Sequence, residues 1–149
     1  MSIWWSLHLR REAASVPLAR RLLLGTMETA GVDPDVSYEL SVALTEACAN
    51  AVEHGGAAAG RGGRTSEAYR VTAYLDGETC RIEVADAGPG FSGAALVPAA
   101  APDAENGRGL RLIEELADHV HFGRTGRGGA LVSFDKLLKW RADAPLALT

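Results

Sequence analysis

The chain has 149 residues, 47% hydrophobic and 23% charged, which excludes disordered and fibrous classes and fits one globular domain over residues 1–149. Its formal net charge of −4 argues against a nucleic-acid partner, because sequence-independent binding of that kind rests on basic surface. No basic and then apolar leader opens the chain, and no apolar run is long enough to cross a bilayer. A cytoplasmic protein without membrane contact is therefore expected, with a protein or a small molecule as partner.

Trp4 to Arg10 alternates loosely and predicts a first strand. Leu18, Leu22, Leu23 and Met27 then recur at helical spacing before Gly31, which predicts a first helix. Asp33-Pro34 is a strong start for a second, since Asp caps free N–H groups and Pro loses nothing at the first helical position; this helix is expected to run to Gly55. Gly55 to Arg64 has no apolar period and reads as a loop extending to about residue 68. Tyr69 to Leu75 and Thr79 to Ala85 are β-rich and joined around Asp76-Gly77, a dipeptide suited to the positive φ angles of a tight hairpin.

Phe91 to Asn106 is an Ala/Pro stretch with little reason to form regular structure, and residues 92–106 are a candidate lid. From Gly107 the positions Leu110, Ile113, Leu116 and Ala117 restore helical period. Strand-like Val120 to Arg124 and Ala130 to Leu137 follow. Hairpins with helices grouped between them predict an α+β fold, a two-layer sandwich of one mixed, mostly antiparallel sheet with helices on one face. Cys48 and Cys80 lie in helix-like and strand-like stretches without metal-type spacing and read as reduced packing residues.

In the second helix Leu40, Ala43, Leu44, Ala47 and Ala51 form the core stripe, while Glu46, Asn50 and His54 follow one another four apart on a neighbouring face. A carboxylate one turn from an amide can accept a proton while the amide oxygen ligates a hard cation such as Mg²⁺. Taken alone, this face reads more simply as the solvated side of an amphipathic helix, and His54 as a favourable charge at the helix end. Asp86-Ala-Gly88-Pro-Gly90-Phe91 places an acid after a buried-looking strand, where it could accept a hydrogen bond from a base amino group or serve only to end the strand. Asn106-Gly107-Arg108-Gly109-Leu110 is expected to open the third helix, with free N–H groups and a positive dipole end suited to an anion. A plain glycine-rich cap, with Arg108 in solvent, fits that stretch as well.

Each motif is weak alone, but their order is informative. Glu46-Ala-Cys-Ala-Asn50-Ala-Val-Glu-His54, Asp86-Ala-Gly88-Pro-Gly90-Phe91 and Gly107-Arg-Gly109-Leu110 resemble the N, G1 and G2 boxes of the Bergerat-fold (GHKL) ATPase and kinase superfamily. Within it, the chain resembles the anti-sigma-factor serine kinases. The resemblance implies that Glu46 activates the attacking hydroxyl, Asn50 holds Mg²⁺ and Asp86 binds the adenine amino group of ATP. Gly88 and Gly90 would shape the adenine loop, and Asn106, Gly107, Arg108, Gly109 and Leu110 the phosphate loop. Two departures stand out: Ala130 where the family often has Thr, and a lid, Ser92 to Glu105, without Lys or Arg.

The implied function is a protein serine/threonine kinase that phosphorylates an anti-sigma factor antagonist, with a sigma factor as second partner and room for a homodimer. A different class keeps ATP binding and drops catalysis, leaving a nucleotide-controlled interaction module. A sensor histidine kinase would need a dimerisation helix with a phosphoacceptor His, and a gyrase-like or mismatch-repair-like ATPase a further transmitting domain; neither is expected here.

Overall fold

The computed structural model describes residues 2–54, 68–86, 104–124 and 129–142. Its elements run β1 (Ile3–Arg10), a single 3₁₀ turn (Ala13–Ser15), α1 (Val16–Ala30), α2 (Pro34–His54), β2 (Ala68–Leu75), β3 (Thr79–Asp86), α3 (Ala104–Leu116), β4 (His119–Arg124) and β5 (Ala130–Leu137). The expected order of strands and helices is thus realised. The strands form one sheet in the order β1-β2-β3-β5-β4, and all four pairings are antiparallel.

Side-chain alternation gives the sheet one apolar face. Leu9, Tyr69, Val71, Ala73, Leu75, Cys80, Ile82, Val84, Val132 and Phe134 point into the core, where α2 supplies Val36, Leu40, Leu44 and Cys48. Helix α2 packs on β2 and β3 and is flanked by α1 and α3, an α+β arrangement of two layers. Truncating a fully buried leucine such as Leu44 in a core of this kind costs about 2–5 kcal/mol.

Helix α1 turns a different stripe inward from the leucine-rich one. Ala19, Leu23, Met27 and Ala30 are buried, whereas Leu18 and Leu22 are exposed. The helix ends where Gly31 adopts φ 91°, with its N–H and that of Val32 closing on the Met27 carbonyl. That left-handed cap requires glycine because a Cβ would crowd the following carbonyl. Helix α2 starts as expected, the Asp33 carboxylate accepting the Asp35 N–H at 2.8 Å.

Two local expectations are corrected. The β2–β3 turn does not use positive φ, since Gly31 is the only glycine with it among the described residues. Instead the Asp76 carboxylate accepts the backbone N–H groups of Glu78 and Thr79, each at 2.7 Å, while the Asp76 N–H reaches the Thr79 carbonyl. These bonds hold the Asp76 carboxyl below the usual carboxylate range. Helix α3 begins at Ala104, three residues before the expected start at Gly107, so the Asn106–Leu110 stretch lies within its first two turns. The candidate loop near 55–68 and most of the candidate lid, with Gly88 and Gly90, lie outside the described residues.

Candidate functional site

Helix α2 carries Glu46 and Asn50 half-buried, one turn apart, beside the buried small residues Ala43 and Ala47. Because these neighbours are small, another backbone can come close to this stretch of the helix. Helix α3 does so. A Cβ placed on Gly109 would lie 3.0 Å from Glu46 Oε2, so glycine lets the second turn of α3 sit against the carboxylate without displacing it. Gly109 is therefore explained by close approach, and not by a helix start. Leu110, next along, packs half-buried against the core and anchors α3 there.

The expected anion site shifts with the helix boundary. An α-helix leaves the N–H groups of its first turn free, which in α3 lie ahead of Gly107. Arg108 N–H and Gly109 N–H instead fall in the hydrogen-bonded part of the helix. The side chains of Asn106 and Arg108 lie outside the described residues, as does that of His54.

Asp86 is the last residue of β3, 9% exposed and directly opposite Tyr69 on β2. Tyr69 is fully buried and belongs to a chain of hydroxyls that the sequence reading passed over. The Ser15 hydroxyl donates to the Glu12 carbonyl at 2.7 Å, so it accepts from the Tyr69 hydroxyl 2.6 Å away. The Cys48 thiol of α2 lies near the same hydroxyl. Burial pushes both groups up to about 12, so thiol and phenol stay protonated near neutral pH. The Tyr69–Ser15 bond fastens β2 to the 3₁₀ turn. A tyrosine in line with Val71, Ala73 and Leu75 on the inward face of β2 is the sequence signal that pointed to it.

The far end of α2 is held by Arg11, whose guanidinium donates to the Val52 carbonyl at 3.0 Å. That carbonyl lies in the last turn, where no intrahelical donor remains. Among the described residues no cluster of three or more His, Cys, Asp or Glu side chains could hold a metal ion. Cys48 and Cys80 are both free and buried, in keeping with packing roles.

Helix α2 bears the carboxylate and the amide, β3 ends on the buried acid, and α3 lays a glycine against the carboxylate. The chain belongs to the histidine kinase-like ATPase domain family, which it matches over residues 9–136. The resemblance read from the three motifs is thereby borne out at family level. Among solved structures, the RsbU and RsbW domains of Rv1364c from Mycobacterium tuberculosis share the fold, with a TM-score of 0.63 and 22% identity over 91% of this chain. The chain spans 33% of that protein's matched chain. No curated protein matches the sequence. No helix among the described residues is long and apolar enough to cross a membrane.

Proposed function

We propose that the chain is a Mg-ATP-dependent protein serine/threonine kinase of the anti-sigma-factor type, acting in the cytoplasm on an anti-sigma antagonist and binding a sigma factor. The observation that carries this reading is the 3.0 Å spacing between a Cβ at Gly109 and Glu46 Oε2, which lays the G2-type segment directly on the N-type helix. A general base needs such a position beside the phosphate-binding element, within hydrogen-bond reach of the incoming hydroxyl.

In this reading Glu46 accepts the proton of the substrate serine or threonine as its oxygen attacks the γ-phosphorus. The bond to the β-γ bridging oxygen breaks and ADP leaves. Asn50 holds the metal through its amide oxygen. Magnesium bound with a nucleotide would ask for only one or two protein oxygens, and the amide oxygen of Asn50 on α2 would fit that demand. When bound, it supplies neutralisation of the phosphate charge. Asp86, at its buried strand end, accepts the adenine amino group. Gly88 and Gly90 shape the adenine loop, and Asn106, Gly107, Arg108, Gly109 and Leu110 line the phosphates. Ala130, exposed at the start of β5, offers no hydroxyl to that contact where the family often has Thr.

The test is phosphoryl transfer from γ-labelled ATP in Mg²⁺ to candidate antagonist proteins, with wild type, Glu46→Ala and Asn50→Ala in parallel. Glu46→Ala should bind nucleotide yet transfer at least about a hundredfold more slowly, and Asn50→Ala should lose Mg-dependent binding. Transfer by Glu46→Ala at the wild-type rate removes the general-base role. Binding without transfer by any of the three proteins leaves the nucleotide-controlled interaction module.

A further inference from the structure

The face of the sheet turned away from the helices is organised. Its first row runs in register across all five strands as Trp4, Tyr74, Arg81, Asp135 and His119. Trp4 and Tyr74 stack with ring centroids 6.4 Å apart and planes 23° from parallel, and the Arg81 guanidinium lies 4.6 Å over the Tyr74 ring. A depression of about 560 Å³ opens beside these three side chains. Trp4 is 66% exposed although it is the largest side chain on the face. A preformed stack of Trp, Tyr and Arg at a concavity has the composition of an energetically dominant contact patch.

Charge on this face runs against that of the chain. The protein carries −4, yet Arg10, Arg70 and Arg81 share the face with only Glu83 and Asp135 among the described residues. Both acids are already matched, Glu83 with Arg81 at 3.6 Å and Asp135 with His119 at 2.8 Å. Arg70 stands opposite His8, with Arg10 two residues further along β1, and neither arginine has an ion pair among the described residues. An unmatched cationic corner therefore lies along the same two strands as the aromatic stack.

We infer that this open face is a docking surface for an acidic protein segment, with an apolar or aromatic side chain of that segment seated against Trp4 and Tyr74 and its carboxylates meeting Arg10 and Arg70. A nucleic-acid strand fits less well, because a continuous phosphate backbone would extend past the two-arginine corner onto a chain whose formal net charge is −4. A second copy of the chain would bring cations to cations. The inference is independent of the nucleotide reading, since this face is the one away from Glu46 and α2.

The test is fluorescence anisotropy of the full chain with a labelled synthetic peptide of Asp and Glu around a central Phe. Its lysine counterpart and oligo-dT serve as comparison probes, and Mg-ATP binding is followed in parallel. The acidic peptide should bind and shift the tryptophan emission, and added salt should weaken it. Trp4→Ala and the pair Arg10→Glu, Arg70→Glu should each weaken it about tenfold or more. Arg70→Lys should keep most of the binding, and all variants should melt and bind Mg-ATP as wild type. Equal binding of the lysine peptide, tighter binding of oligo-dT, an unchanged affinity in the variants, or an anisotropy change traced to self-association of the chain would overturn the inference.

Discussion

Gly109 and Glu46 act as a pair. Replacing Gly109 with Ala puts a methyl 3.0 Å from Glu46 Oε2, and the carboxylate, being the free end of a flexible side chain, is the group that moves. Alanine inside a helix is favoured over glycine by roughly 0.8–1 kcal/mol, so α3 itself gains. The expected outcome for Gly109→Ala is a thermal midpoint equal to or slightly above wild type, with phosphoryl transfer reduced by about tenfold or more through displacement of the base. A variant with full activity would show that Glu46 does not need its observed position. The spacing of Glu46 and Asn50 was legible in the sequence, but not what faces them. A close approach between two helices far apart in the chain leaves no local pattern except the glycine, and a glycine also reads as a cap.

At the scale of elements, the β2–β3 hairpin tests the correction to its turn. Asp76→Ala removes an acceptor that serves two backbone N–H groups, and the expected destabilisation is about 1–2 kcal/mol by denaturant unfolding at neutral pH. Because the folded state holds the Asp76 carboxyl below its ordinary range, the contribution is complete above the unfolded value of 3.8. It is lost as pH falls through the lower folded value. Wild type and Asp76→Ala should therefore converge in strongly acid solution; a difference that persists there would contradict the carboxylate's role. The turn was readable from Asp76-Gly77, although its mechanism was not, since Asp supplies both positive-φ tolerance and a side-chain acceptor. Helix α1 was readable too, but its buried face was not. Alanines at positions 19 and 30 are inside while Leu18 and Leu22 are outside, and hydrophobicity alone ranks them the other way. The start of α3 was missed because the stretch before Gly107 has no apolar period.

For the whole molecule, the buried hydroxyl pair of Tyr69 and Ser15 ties β2 to the 3₁₀ turn that leads into α1. Tyr69→Phe leaves the buried Ser15 hydroxyl without its donor, and the expected cost is about 1–3 kcal/mol. Both thiols are buried and pushed up to about 12, so alkylation of the native protein near neutral pH should be slow and should accelerate only on unfolding. Rapid labelling of the native state would contradict the packing described for α2 and β3. The central claim, a nucleotide held between α2, the end of β3 and α3, is tested most directly by titration calorimetry with ATP in magnesium buffer. Wild type should release or absorb heat in a saturable one-site curve, and Asp86→Ala, with the same fold by circular dichroism, should bind at least about tenfold more weakly because the hydrogen bond to the base is lost. No heat with wild type, or equal affinity in Asp86→Ala, would contradict it.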